Sequence, residues 1–190
     1  MYGEEIQMEL EPLTYENETY VSGFFCGKDA SDFNEYVQCD ALEDEEARTV
    51  VYLTKANDSD EAERHAVAFC SLACSSVIVE SKGVGGQNFQ HSIPAVLIDK
   101  FAVDEKYQHL TYTEGKELTL SQMIMYDIKN YVGTIASNVI GAKYIILYST
   151  EKAHNFYLKC QFYDFESEMT FGNDPRYSDC IPMYSYISRD

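Results

Sequence analysis

Strand-like and helix-like segments alternate along the 190 residues, and that alternation predicts an α/β domain with a mixed sheet. Three observations carry the expectation. Apolar or β-branched runs recur at residues 49–53, 66–79, 93–104 and 144–148. A long stretch, 118–140, sets Leu120, Ile124, Ile128, Tyr131, Ile135 and Val139 at helical spacing. A shorter helical stretch, 151–160, separates the run 144–148 from a final strand-like tail at 181–188.

In chain order, residues 1–19 are acidic and weakly patterned, and read as an N-terminal arm or an added edge strand; residues 20–190 read as a single domain. Residues 20–27 read as a first strand ending in the glycine stop Gly27. Residues 29–37 read as a helix. Asp29 is its expected N-cap, and Phe33, Tyr36 and Val37 share one apolar face. Residues 41–47 read as a second short helix, and residues 57–60 as a turn. The run 66–79 is too long for one flat segment, so a bulge is expected in it. Residues 81–88 read as a flexible loop: its glycines are not followed by a helical pattern, which argues against a phosphate-binding loop. Gly141 marks the end of the long helix. The unbroken apolar run 144–148 reads as a central strand.

Hydrophobic residues make up 45% of the chain and charged residues 24%, so it folds around a core. No apolar run reaches membrane-spanning length, and the acidic start Met1-Tyr2-Gly3-Glu4-Glu5 lacks a signal-peptide core. A cytoplasmic location is expected. None of the six cysteines forms a C-x-x-C pair, and no histidine stands at zinc-ligand spacing from a cysteine pair. Free thiols and no metal site follow. The net charge of −18 is uneven: residues 1–65 carry 18 Asp/Glu against 4 Lys/Arg, and residues 66–190 carry 14 against 10. The acidic third repels phosphate backbones and attracts cations.

The segment Ala153-His154-Asn155-Phe156-Tyr157-Leu158-Lys159-Cys160-Gln161-Phe162, after Tyr144-Ile145-Ile146-Leu147-Tyr148, resembles the C-terminal core of the GCN5-related N-acetyltransferases (GNAT). Two further stretches share the resemblance. Phe25-Cys26-Gly27 followed by Asp32-Phe33 is similar to the opening of the subgroup that includes toxins acetylating aminoacyl-tRNA. Residues 98–108 are similar to the family's central strand and its entry to the pyrophosphate loop. The resemblance spans residues 20–188 and implies a mixed, largely antiparallel central sheet flanked by helices. It also implies acetyl-CoA as co-substrate.

The chain departs from the family where the pyrophosphate would be held. After Tyr107-Gln108 the family's glycines are missing, and about eight residues are inserted before Leu118. Glu114 and Glu117 fall in that insertion, and Gln161 replaces a common glycine. Two outcomes stay open. The N–H groups around Thr119, Leu120 and Ser121 hold the pyrophosphate at the helix start, or the site no longer binds CoA.

The implied reaction is direct attack of a primary amine on the thioester. Main-chain N–H in Phe101-Ala102-Val103 would hold the carbonyl, Tyr157 would protonate the leaving thiolate, and Asn155 would line the pantetheine channel. The competing roles are packing for Tyr157 and a solvent-facing position for Asn155. No general base stands out: Asp99, Asp104 and Glu105 flank the strand as solvated carboxylates, and His65, His91, His109 and His154 show no triad-like partner.

The charge pattern favours a small cationic amine or a basic protein as acceptor and makes nucleic acid an unfavourable partner. No membrane is implied, and an oligomer is compatible with the sequence. The alternatives are a catalytically inactive interaction protein that binds a basic partner through its acidic surface, and a toxin-like acetyltransferase acting on aminoacyl-tRNA.

Overall fold

A computed structural model describes residues 6–55, 64–112, 118–170 and 175–187. The chain divides into two compact units, Met1–Leu72 with Asp99–Met125, and Ala73–Ile98 with Tyr126–Asp190. The expected turn at residues 57–60 lies outside the described residues.

In the first unit, β1 (Met8–Pro12) lies antiparallel to β2 (Ala47–Thr54), with Met8 opposite Thr54 and Pro12 opposite Val50. The order continues through the outer parts of β3 (Ala66–Lys82) and β4 (Asn88–Val103). Charge fastens the β1 edge. The Arg64 guanidinium pairs with Glu11, donates to the Thr54 carbonyl at 3.1 Å and lies over the Tyr20 ring. The hydrogen bond that Arg64 donates to Glu11 holds the Glu11 carboxyl below its usual range.

Residues 20–27 are not a strand. Glu18–Val21 forms a 3₁₀ turn, and Val21 and Phe24 both point inward, at 1% and 2% exposure. Residues three apart face opposite sides of a strand but the same side of a helical turn, so burying both selects the turn. Asp29 is not the N-cap either. It sits in the 3₁₀ turn Lys28–Ala30, and α1 (Ser31–Glu35) starts after Ala30 without a side-chain cap. A π-helical turn, Tyr36–Asp40, follows. Residues 41–46 are turns and bends rather than a helix, because Asp44 Oδ1 accepts the N–H groups of Glu46 and Ala47 and turns the chain into β2. Phe69 centres this unit's core, edge-on to Phe24 at 5.3 Å and beside Phe33 and Tyr36.

In the second unit, β4 pairs in parallel with β5 (Tyr144–Ser149), Ala95–Ile98 facing Tyr144–Leu147. β5 is antiparallel to β8 (Ile181–Tyr186) along its whole length. The two-residue strands β6 (Tyr163–Asp164) and β7 (Met169–Thr170) add to β8 and to β3. The sheet is thus mixed and largely antiparallel, as expected. Val77, Ala95, Ile146, Tyr144 and Tyr184 form this unit's core.

The long helix α2 (Leu120–Ile135) runs on into a π turn, Ala136–Ile140, and stops at Gly141 in the left-handed conformation (φ 66°). Its buried stripe is Leu120, Ile124, Ile128, Val132 and Ala136, an unbroken i+4 row. The expected Tyr131, Ile135 and Val139 fall off it, and Val139 is 76% exposed. Among the described residues no helix is long and apolar enough to cross a membrane.

Truncating Phe69 to Ala removes the ring on which the first core is built. The expected loss is about 3–5 kcal/mol of folding stability, read from the denaturant midpoint. A shift below about 1 kcal/mol would show that this ring is not the centre of the core.

Candidate functional site

The end of β4 is held by side-chain hydrogen bonds of Asp104 and Gln108. Its registered pairing with β5 stops at Ile98 opposite Leu147, and β4 continues through residues 99–103 in the first unit. Ala102 and Val103 are buried and Phe101 is half-buried. Next comes Asp104, 2% exposed, whose carboxylate accepts the N–H groups of Phe25 and Lys106, each at 3.0 Å. The expectation of a solvated carboxylate is therefore overturned at this position. A buried carboxylate persists only where donors replace its water, and two backbone N–H groups do so here.

Gln108 adds a second tie, donating to the carbonyls of Val103 at 2.8 Å and Cys26 at 2.9 Å. From the other side, Asn34 accepts the Cys26 N–H and donates to the Gly27 carbonyl, while Gln38 donates to the Phe24 carbonyl. Residues 24–27 are thus fastened to the end of β4 and to the helix that follows them. Phe25 stays 39% exposed on this clamped segment. The sequence placed Phe25-Cys26-Gly27 and the β4 end in separate motifs; Asp104 and Gln108 join them.

Beyond Gln108 the chain forms a short hairpin stem. Thr111 bridges antiparallel to Thr119, the Tyr112 N–H donates to the Leu118 carbonyl at 2.7 Å, and the Leu120 N–H donates to the Leu110 carbonyl at 2.8 Å. Glu114 and Glu117 lie outside the described residues. Thr119 and Gln122 then form a reciprocal cap on α2. The Gln122 N–H reaches Thr119 Oγ1 at 3.2 Å, and the Thr119 N–H reaches Gln122 Oε1 at 2.9 Å. Of the three residues expected to face a pyrophosphate, Thr119 and Leu120 have thus placed their N–H groups within the protein. The Ser121 N–H takes no part in these bonds. The Thr119-Leu120-Ser121-Gln122 spacing is the capping-box signal in the sequence that marks this helix start.

The second unit holds the other expected residues. α3 (Glu151–Lys159) is capped by Thr150, whose side chain accepts the Ala153 N–H. Tyr157 is 9% exposed, its ring edge-on to Phe156 and to Phe162. Asn155 is exposed. His154, on the same helix, bonds through Nε2 to Asp164 Oδ1 at 2.6 Å. In the first unit His65 Nε2 meets the Tyr107 hydroxyl. These partners of His65 and His154 were not foreseen, because the residues lie 42 and 10 positions apart in sequence.

The end of α3 explains Gln161. The Phe162 N–H donates to the Tyr157 carbonyl and the Gln161 N–H to the Leu158 carbonyl, the two bonds of a Schellman motif. Its left-handed position is Gln161, φ 63°, where glycine is the residue without a steric cost. Lys129 offsets the missing glycine. Its ammonium donates to the Cys160 carbonyl at 2.9 Å and lies over the Phe162 ring. Burial pushes the Lys129 pKa down, and burial pushes the neighbouring Cys160 thiol up to about 12, so that sulfur stays protonated and inert.

Neither a protein-family model nor a curated protein sequence matches the chain. Solved structures do. A tyrosine-to-phenylalanine mutant of the AtaT toxin matches with TM-score 0.69 at 18% identity, covering 95% of this chain and 90% of that one. AtaT bound to the C-terminus of the antitoxin AtaR and acetyl-CoA matches with TM-score 0.62 at 17% identity, over 95% and 94% of the two chains. AtaT complexed with acetyl-methionyl-tRNAfMet matches with TM-score 0.62 at 18% identity, over 93% and 94%. The fold is the GNAT fold of these toxin structures, along nearly the whole chain.

Two substitutions test the local accounts. Asp104→Asn puts an amide hydrogen against one of two N–H donors. It is expected to cost about 1–3 kcal/mol and to speed amide exchange at Phe25, and unchanged exchange there would refute the clamp. Gln161→Gly relieves the left-handed residue and is expected to raise stability by about 1 kcal/mol, seen as a higher denaturant midpoint.

Proposed function

We propose that the chain is an acetyl-CoA-dependent N-acetyltransferase of the toxin type, with the α-amine of a tRNA-borne aminoacyl group as acceptor. The observation that carries this reading is the fold itself, matched over 95% of the chain to AtaT bound to acetyl-CoA and over 93% to AtaT with an acetylated aminoacyl-tRNA. The neutral amine attacks the thioester carbonyl, the new C–N bond forms and the C–S bond breaks. The N–H groups of the Phe101-Ala102-Val103 segment take the developing oxyanion, and the Asp104–Gln108 ties keep that segment from moving. Tyr157 gives its phenolic proton to the leaving thiolate, and the proton shed by the attacking nitrogen passes through solvent to restore the phenol; packing against Phe156 and Phe162 fixes the ring for that task. Asn155 lines the pantetheine arm. Of the Thr119-Leu120-Ser121 set, the Ser121 N–H is the one not engaged in the capping and stem bonds described above.

The charge pattern made nucleic acid an unfavourable partner, whereas AtaT is seen with an acetylated aminoacyl-tRNA. Both observations are met if the acceptor is gripped at its aminoacyl end and little along its phosphates. Transfer then depends only weakly on salt, since few counterions are released.

A second reading, an inactive interaction protein, is favoured by two features. Residues 1–65 carry 14 of the 18 net negative charges, and AtaT is seen with the C-terminus of its antitoxin. A basic protein partner would be its ligand.

The test is transfer of labelled acetyl from acetyl-CoA to charged tRNA. Wild-type transfer is expected, with Tyr157→Phe lowering kcat about a hundredfold while acetyl-CoA binding is retained. Absence of both transfer and acetyl-CoA binding in the wild type would select the interaction-protein reading.

A further inference from the structure

We infer that this site recognises its donor through the thioester and the pantetheine arm rather than through the diphosphate, so that an acyl thioester of pantetheine without the nucleotide is an effective donor. The inference rests on the acetyl-transfer reading above and concerns which part of the donor is bound.

Three observations support it. First, a diphosphate at a helix start is held by outward-facing N–H groups. At the start of α2 three of those groups, all but that of Ser121, point elsewhere: Leu120 donates to Leu110, Thr119 to Gln122 and Gln122 to Thr119. Second, the start is closed as well as occupied. Leu120 is fully buried, Ser121 and Gln122 are 9% and 8% exposed, and Ser121 Oγ is turned to the Gln108 carbonyl at 3.5 Å. Third, both parts of the chain are net negative, −14 over residues 1–65 and −4 over residues 66–190, so no basic surplus offsets the charge of a phosphate.

To bind a diphosphate at α2, the capping bonds or the stem bonds would have to break. Each broken pair leaves buried polar groups unsatisfied, which offsets what the anion gains. The reacting end of the donor is untouched by this. In both donors the same C–S bond breaks, the same C–N bond forms, and the same thiolate takes the proton from Tyr157. Removing the nucleotide therefore removes little that this protein uses.

The experiment compares kcat/KM of the full chain for acetyl-CoA and for S-acetyl-pantetheine with the same amine acceptor, and adds adenosine 3′-phosphate 5′-diphosphate as competitor. The expected result is a ratio of less than about tenfold, with no competition by the nucleotide at millimolar concentration. Where the nucleotide is a binding handle, its removal costs far more than that. A larger ratio, or competitive inhibition by the nucleotide at micromolar concentration, overturns the inference and leaves acetyl transfer standing. Transfer from neither donor overturns both.

Discussion

The first unit is organised around a buried carboxylate. Asp104 sits at the point where β4 ends, and a carboxylate taken out of water must be met by donors or it destabilises the fold by several kcal/mol. Phe25 and Lys106 supply them from the backbone. Meeting that demand draws residues 24–27 against the strand end, and the amides of Gln108, Asn34 and Gln38 then satisfy what the approach leaves over. The wall beside the proposed oxyanion-binding strand is thus a by-product of satisfying one charge.

Two helix ends show how local satisfaction shapes chemistry. At the start of α2, Thr119 and Gln122 answer each other's N–H groups, which is good for the helix and poor for an incoming anion. At the end of α3, Lys129 supplies the positive charge that helix carbonyls favour, and it does so over a left-handed glutamine. The first arrangement spends both N–H groups on the helix itself. The second keeps Phe162 packed against Tyr157, so the proposed acid is braced by a turn that lacks its usual glycine.

Much of the fold was legible because it depends on local pattern. The β-branched run at residues 49–53 became β2, the apolar run at 144–148 became β5, and Gly141 ended the long helix as its conformational freedom requires. Misreadings arose where a neighbour distant in sequence decides. Residues 20–27 carry strand-like composition, yet Val21 and Phe24 must reach the same core as Phe69. Asp104 reads as a surface carboxylate until Phe25, 79 positions away, is placed beside it. The roles given to Tyr157, Asn155 and residues 101–103 come from the resemblance alone. Their surroundings were not legible, because hydrogen-bond partners such as Asp164 for His154 leave no periodic trace.

The six cysteines are all unpaired, and they are not equivalent. Cys70 and Cys160 are sealed in the interior, while Cys39 and Cys74 are exposed. One exposed thiol per molecule stops at a covalent pair under air oxidation; two give every molecule a second point of attachment. Two exposed thiols meet the requirement for step-growth disulfide linking, so reductant is the control that separates such linking from self-association through a complementary interface.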